Sequence, residues 1–246
     1  MTQRGATWGT AALARLARAA SGLATLCAAA ACLAVASPAS AASPVQLIYR
    51  VDHSIFGNIG TYSNTIQTGG DTTTVSTTAH FRVRVLGVVM HREDATRTER
   101  WNGDRLVYFH SITNKGGGPI EVTGEATASG FVIRSPKGTV TAPAAVHPAN
   151  PWSPNFLASH TMMRVDNGRI ERVNIRGGGE VPVKLPGQTI FARAYEVDGA
   201  TRYRVWIDGR GVPVQFTVDD ASGKITFTLT DCVGCELHML YAGQQR

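Results

Sequence analysis

VSTTAHFRVRV, Val75–Val85, decides the fold. Val75, Thr77, Ala79, Phe81, Val83 and Val85 share one face, and Ser76, Thr78, His80, Arg82 and Arg84 share the other. A period of two sustained over this length marks a half-buried antiparallel strand, with one face on a core and one in water. The same pattern recurs along the chain. Leu106–Ile112, Arg169–Ile175, Thr189–Val197, Thr201–Ile207 and Val212–Val218 are rich in β-branched and aromatic residues. Turn dipeptides punctuate them: Asn102-Gly103, Asn167-Gly168, Asp198-Gly199, Asp208-Gly209 and Ser222-Gly223. Beyond residue 41 no amphipathic helical period exceeds two turns. The expectation is an all-β, mainly antiparallel fold: a curled sheet forming a half-barrel or open barrel, with at most short helices.

One segment interrupts the strands. Residues 142–160 carry Pro143, Pro148, Pro151 and Pro154, which exclude a central strand. They also carry Trp152, Phe156 and Leu157. Ser153-Pro154 has the form of a helix start, serine at the N-cap and proline in the first turn. The segment reads as a long connection, or cover, that crosses the sheet and packs its apolar residues on it.

The N-terminus reads as a leader. Residues 1–41 hold Arg4, Arg15 and Arg18, no acidic residue, an apolar alanine-rich run from Ala19, and Ala39-Ser40-Ala41 at its end. That is the build of a secretory signal peptide cleaved between Ala41 and Ala42, which leaves one β-rich domain, residues 42–246, and no transmembrane segment. The periplasm is the expected location. The alternative is a lipid anchor on Cys32. Loss of the three leader arginines takes the formal charge from +6 to +3, which gives little reason to expect nucleic-acid binding.

Removal of the leader also takes Cys27 and Cys32, so Cys232 and Cys235 remain. An oxidising compartment favours a disulfide between them. Ile225, Phe227 and Leu229 alternate before the pair, and Leu237, Met239 and Tyr241 after it. Residues 230–246 therefore read as a hairpin whose turn is clipped by Cys232–Cys235. The other readings are a redox pair and a partial metal site with His238. A strand precedes the motif where a thioredoxin-like thiol needs a helix N-terminus, and structural zinc needs a fourth ligand.

Elsewhere the chemistry is sparse. Gly116–Gly118 and Gly177–Gly179 continue to no phosphate-loop lysine and read as ordinary loops. His53, His80, His91, His110, His147, His160 and His238 include no metal-spaced pair. There is no Gly-x-Ser-x-Gly elbow and no paired-acid constellation, so no catalytic residue, metal or cofactor is assigned. Arg92–Trp101 is polar on both faces. One reading makes it an exposed edge strand with cross-strand ion pairs. The other places Arg97, Glu99 and Trp101 inside an open cradle. In the second half, Phe191, Tyr195, Tyr203, Trp206, Phe216 and Phe227 supply large surfaces, some expected to line a cavity. Arg97, Glu99, Trp101, Trp152, Tyr195, Tyr203 and Trp206 are the candidate ligand-binding set.

Several spaced residues together resemble a known family. They are Tyr49-x-Val51 with Ile59-Gly60, Glu99-x-Trp101, Pro151-Trp152-Ser153-Pro154, Val205-Trp206-Ile207-Asp208-x-x-Gly211, and Asp219-Asp220-x-x-Gly223-x-Ile225-x-Phe227-x-Leu229. From Gln46 to Leu229 the chain resembles an uncharacterised family of exported proteobacterial proteins, a domain of unknown function. That family is remotely similar to half-barrels of the periplasmic lipoprotein-carrier type. The resemblance implies a curled sheet and brings no catalytic residue. The tail with Cys232 and Cys235 departs from the pattern. Three functions are carried forward: a non-enzymatic binder or carrier of a lipid or other amphipathic molecule, an envelope protein that docks a protein partner through strand edges and the Arg92–Trp101 surface, and a small metal or redox protein.

Overall fold

The structure is a computed structural model that describes residues 43–220 and 222–235. The leader, Cys32, the Ala41–Ala42 junction, His238 and the second strand of the expected C-terminal hairpin lie outside the described residues.

Eight strands come first: β1 Val45–His53, β2 Gly57–Gly69, β3 Thr72–Val85, β4 Val88–Asn102, β5 Arg105–Asn114, β6 Pro119–Thr127, β7 Gly130–Ser135 and β8 Gly138–Ala142. The proline-rich connection follows, with β9 His147–Pro148, a 3-10 helix Pro154–Ala158, β10 Thr161–Met163 and β11 Ile170–Arg172. Five strands close the described chain: β12 Asn174–Leu185, β13 Gln188–Asp198, β14 Tyr203–Asp208, β15 Pro213–Asp220 and β16 Gly223–Val233.

Thirteen of the described strands make one antiparallel sheet in the order β12-β13-β14-β15-β16-β1-β2-β3-β4-β5-β6-β7-β8. It is an open, curled sheet, as the alternating pattern predicts. Two meanders, β1–β8 and β12–β16, join where β1 pairs with β16, and Val51 faces Phe227 across that seam. The inner face carries the core, including Leu47, Tyr49, Val51, Val75, Phe109 and Phe131, all fully buried. One close approach fixes a glycine. At Gly60 φ is +148°, and a Cβ would collide with the His80 carbonyl oxygen on β3.

The connection, with β9, β10 and β11 as its own small sheet, lies over the inner face. Ser153 caps the 3-10 helix, its Oγ accepting from Asn155 N at 3.3 Å, with Pro154 in the first turn. Trp152 and Phe156 are buried beneath it.

Four expectations are corrected. Arg92–Trp101 is no edge strand: it lies within β4, paired on both sides to β3 and β5. Inward-facing Glu99 is bonded by Asn150 and Trp152 of the connection, so polarity on both faces did not mean exposure. Gly177–Gly179 is not a loop but part of β12, at a bulge between Gly177 and Glu180. Arg169–Ile175 is divided at Val173, whose N–H leaves the ladder to reach the His160 carbonyl at 3.0 Å. β16 runs past Thr230 to Val233, so Cys232 sits in a strand opposite Leu47 rather than in the turn.

Candidate functional site

Between the connection and the inner face lies a cavity of about 550 Å³, within the range of roughly 300–1,000 Å³ usual for small-molecule sites. Its two walls differ. The wall from β14–β16 is apolar, with Val205, Phe216, Ile225 and Phe227. Phe216 and Phe227 stack at 4.2 Å between centroids, and Tyr62 and Phe81 meet Phe227 edge-on at 5.4 and 6.0 Å. Alternation puts these rings on one face, and the offset and edge geometry suits their quadrupoles.

On the β2–β4 side Tyr62 lines the cavity opposite Asn150, and behind them a buried polar network ties these strands to the connection. Asn150 accepts from Tyr62 Oη at 2.6 Å and from Asn64 Nδ2 at 3.3 Å. Its amide donates to Thr77 Oγ1 at 3.2 Å and to Glu99 Oε1 at 2.8 Å. Glu99 Oε2 accepts from both indole N–H groups, Trp101 and Trp152, each at 3.0 Å. Burial pushes the Glu99 carboxyl up to about 7 against the pull of these donors and of Arg97. Beside it His147 packs 4.6 Å from the Trp101 ring, and burial pushes the imidazole down to about 4.

The rim is charged. Lys115 Nζ lies 3.4 Å from Glu93 and 3.2 Å from Asp166, and Arg164 Nε lies 3.2 Å from Asp166. Burial alone would raise the Asp166 carboxyl, but Arg164 and Lys115 hold it below its usual value. Arg164 also donates to Thr201 Oγ1 at 2.7 Å, which ties the connection to the β13–β14 turn.

At the β1–β2 and β3–β4 turns, apolar residues stand in water. Leu86 is fully exposed, and Ile55, Val88 and Met90 are more than half exposed. Leu86 and Gly87 both have positive φ, 49° and 83°, the two-residue turn that favours asparagine and glycine over leucine. Phe56 and Met90 belong both to these turns and to the cavity lining.

Of the seven candidate residues, Arg97 and Tyr203 line the cavity. Glu99, Trp101 and Trp152 are buried in the network under the connection. Tyr195 shares an inner face with Val205 but stands outside the lining. Trp206 is on the outer face of β14, with the Arg204 guanidinium 5.8 Å from its ring. Asn64, Thr77 and Asn150 were missed; their only sequence signal was a polar residue at an inward position. Cys232 and Cys235 bring their sulfurs together, with Cα atoms 5.7 Å apart. Among the described residues no cluster of three metal-ligating side chains occurs, and no helix is long and apolar enough to cross a membrane.

No curated protein matches the sequence. A crystal structure of a beta-barrel-like protein of the domain of unknown function DUF1849 from Brucella abortus is similar in fold. Its TM-score is 0.59 at 12% identity, over 77% of this chain and 96% of that one. The family profile of the domain of unknown function DUF6134 matches residues 57–230, which leaves the Cys235 end outside.

Proposed function

We propose, from the premise that this chain belongs to the family of the domain of unknown function DUF6134, that it is a non-enzymatic binder or carrier of a hydrophobic or amphipathic molecule. It acts in the periplasm after removal of residues 1–41. The cavity with its aromatic wall carries this reading, since an apolar chamber of that volume is the ordinary form of a small-molecule site. Exposed apolar residues that also line the cavity favour a carrier: Phe56 and Met90 offer an apolar surface over which a poorly soluble ligand passes. The Arg92–Trp101 surface lends docking no support, because Arg97, Glu99 and Trp101 are buried.

Native and denatured masses of the protein recovered from the periplasm test the proposal. The expected result is a chain beginning at Ala42, two hydrogens below its reduced mass, with added native mass that organic extraction removes. A protein that is recovered empty and also fails to take up an apolar dye such as Nile red is not a binder.

A further inference from the structure

Arg97 is an anomaly within the cavity. It lies on β4 with 7% of its surface exposed, and its Nε is fully buried without a hydrogen-bond partner. No hydrogen bond or ion pair joins Arg97 to any other described side chain. The carboxylates around it are occupied. Glu93 and Asp166 are held by Lys115 and Arg164 at the rim. Glu99, two residues along the strand, gives both oxygens to Asn150, Trp101 and Trp152.

A guanidinium cannot shed its proton to escape burial, as a lysine can, so its charge stays and needs a counter-charge. Its planar fork matches a carboxylate or phosphate with two parallel bonds. Of the charged groups lining the cavity, Arg97, Lys115 and Arg164 are cationic and Glu93 and Asp166 anionic, which leaves one positive charge over. Phe81, Val205, Phe216, Ile225 and Phe227 give the chamber a large apolar surface.

We infer that the ligand is an anionic amphiphile, whose single carboxylate or phosphate group is held by Arg97 and whose apolar tail lies against the Phe216–Phe227 stack. The inference rests on the ligand-binding role proposed above and narrows it to one class. The missing ion-pair partner of Arg97 is then the ligand itself.

Displacement of Nile red, an uncharged dye, tests this with three competitors: laurate, dodecanol and inorganic phosphate. Laurate and dodecanol share a tail and differ in charge; phosphate has the charge without the tail. A charge-assisted pair predicts displacement by laurate at a concentration roughly tenfold or more below dodecanol. Arg97→Met abolishes that preference while dye and dodecanol binding persist, and Arg97→Lys, which keeps the charge and loses the fork, retains part of it. Equal displacement by laurate and dodecanol in the natural protein overturns the headgroup assignment and leaves the cavity reading intact. Displacement by phosphate as effective as by laurate makes this a free-anion site and overturns the amphiphile. A preference for laurate that survives in Arg97→Met takes the role from Arg97. A natural protein that takes up neither dye nor laurate sinks both this inference and the binding function.

Discussion

The two walls of the cavity are built from the same kind of strand and differ in what holds them. The β2–β4 side is backed by a buried polar lattice, Asn64, Thr77 and Glu99, that lies outside the lining and is clamped to the connection through Asn150 and Trp152. The β14–β16 wall is a set of rings, Phe216 and Phe227, that no cover residue hydrogen-bonds. The connection reaches that half of the sheet at the rim, through Thr201. Directional bonds fix the cover on one side, and non-directional apolar surface is left free on the other. A cover bonded across both faces would fill the chamber; one clamped along one side and tied to the other only at the rim leaves room for a guest.

The comparison breaks most visibly at the apolar wall. Phe227→Ala removes the stack on Phe216 and is expected to cost about 3 kcal/mol in urea unfolding, at the low end for phenylalanine because the site already borders a cavity. Nile red affinity should fall with it. A variant that loses stability but binds the dye unchanged would mean that the stack is core and not a binding surface.

The polar wall carries a pH signature. The Glu99 carboxyl is raised from 4.5 to about 7, so its contribution is fully present below pH 4.5 and is lost as pH rises through 7, on the order of 3 kcal/mol. His147 is lowered from 6.5 to about 4, so its contribution is present above pH 6.5 and is lost as pH falls through 4. The two slopes oppose each other between pH 4.5 and 6.5. Melting temperature against pH is therefore expected to gain a rising slope in Glu99→Gln and a falling one in His147→Phe. Parallel curves for the three proteins would refute both assignments.

A smaller effect separates clamp from wall. Asn150→Ala leaves Glu99 Oε1 and Thr77 without their cover partner and should cost about 2 kcal/mol. Amide exchange should accelerate in residues 143–165 while β14–β16 stay protected. Uniform acceleration would show that the two walls open as one. The smallest change has the opposite sign. Leu86→Asn suits the positive φ of its turn and should stabilise by about 0.5 kcal/mol. The same variant should slow uptake of laurate from vesicles without changing its affinity for soluble laurate; unchanged uptake would remove the turn from the transfer step.

What the sequence showed and what it hid divide along the same line. The apolar side was legible because period two places Ile225, Phe227 and Leu229 together, and proline with a serine cap announced the cover. The polar side was not. Glu99 beside Arg97 and Arg100 looks like a solvated edge, because nothing local says that Asn150 and Trp152 arrive from far along the chain to satisfy it. Gly177–Gly179 failed for a related reason: a glycine run marks a loop unless a bulge absorbs it. For Arg97 the sequence supports an exposed and an inward reading alike, since burial of a charge is visible in three dimensions alone.

The seam between β1 and β16 also dictates an order of events. The first and last described strands lie side by side in the middle of the sheet, and its two edges, β8 and β12, come from mid-chain. Each meander zips from neighbouring hairpins as it emerges, but the contact of Val51 with Phe227 waits for β16, the last described strand. Closing so long a loop costs little more in free energy than closing a moderate one, because the penalty grows only with the logarithm of length. It does slow folding, as high contact order does. A nascent chain short of β16 has no joined sheet and no complete aromatic wall, so the chamber comes into being only when the two halves meet.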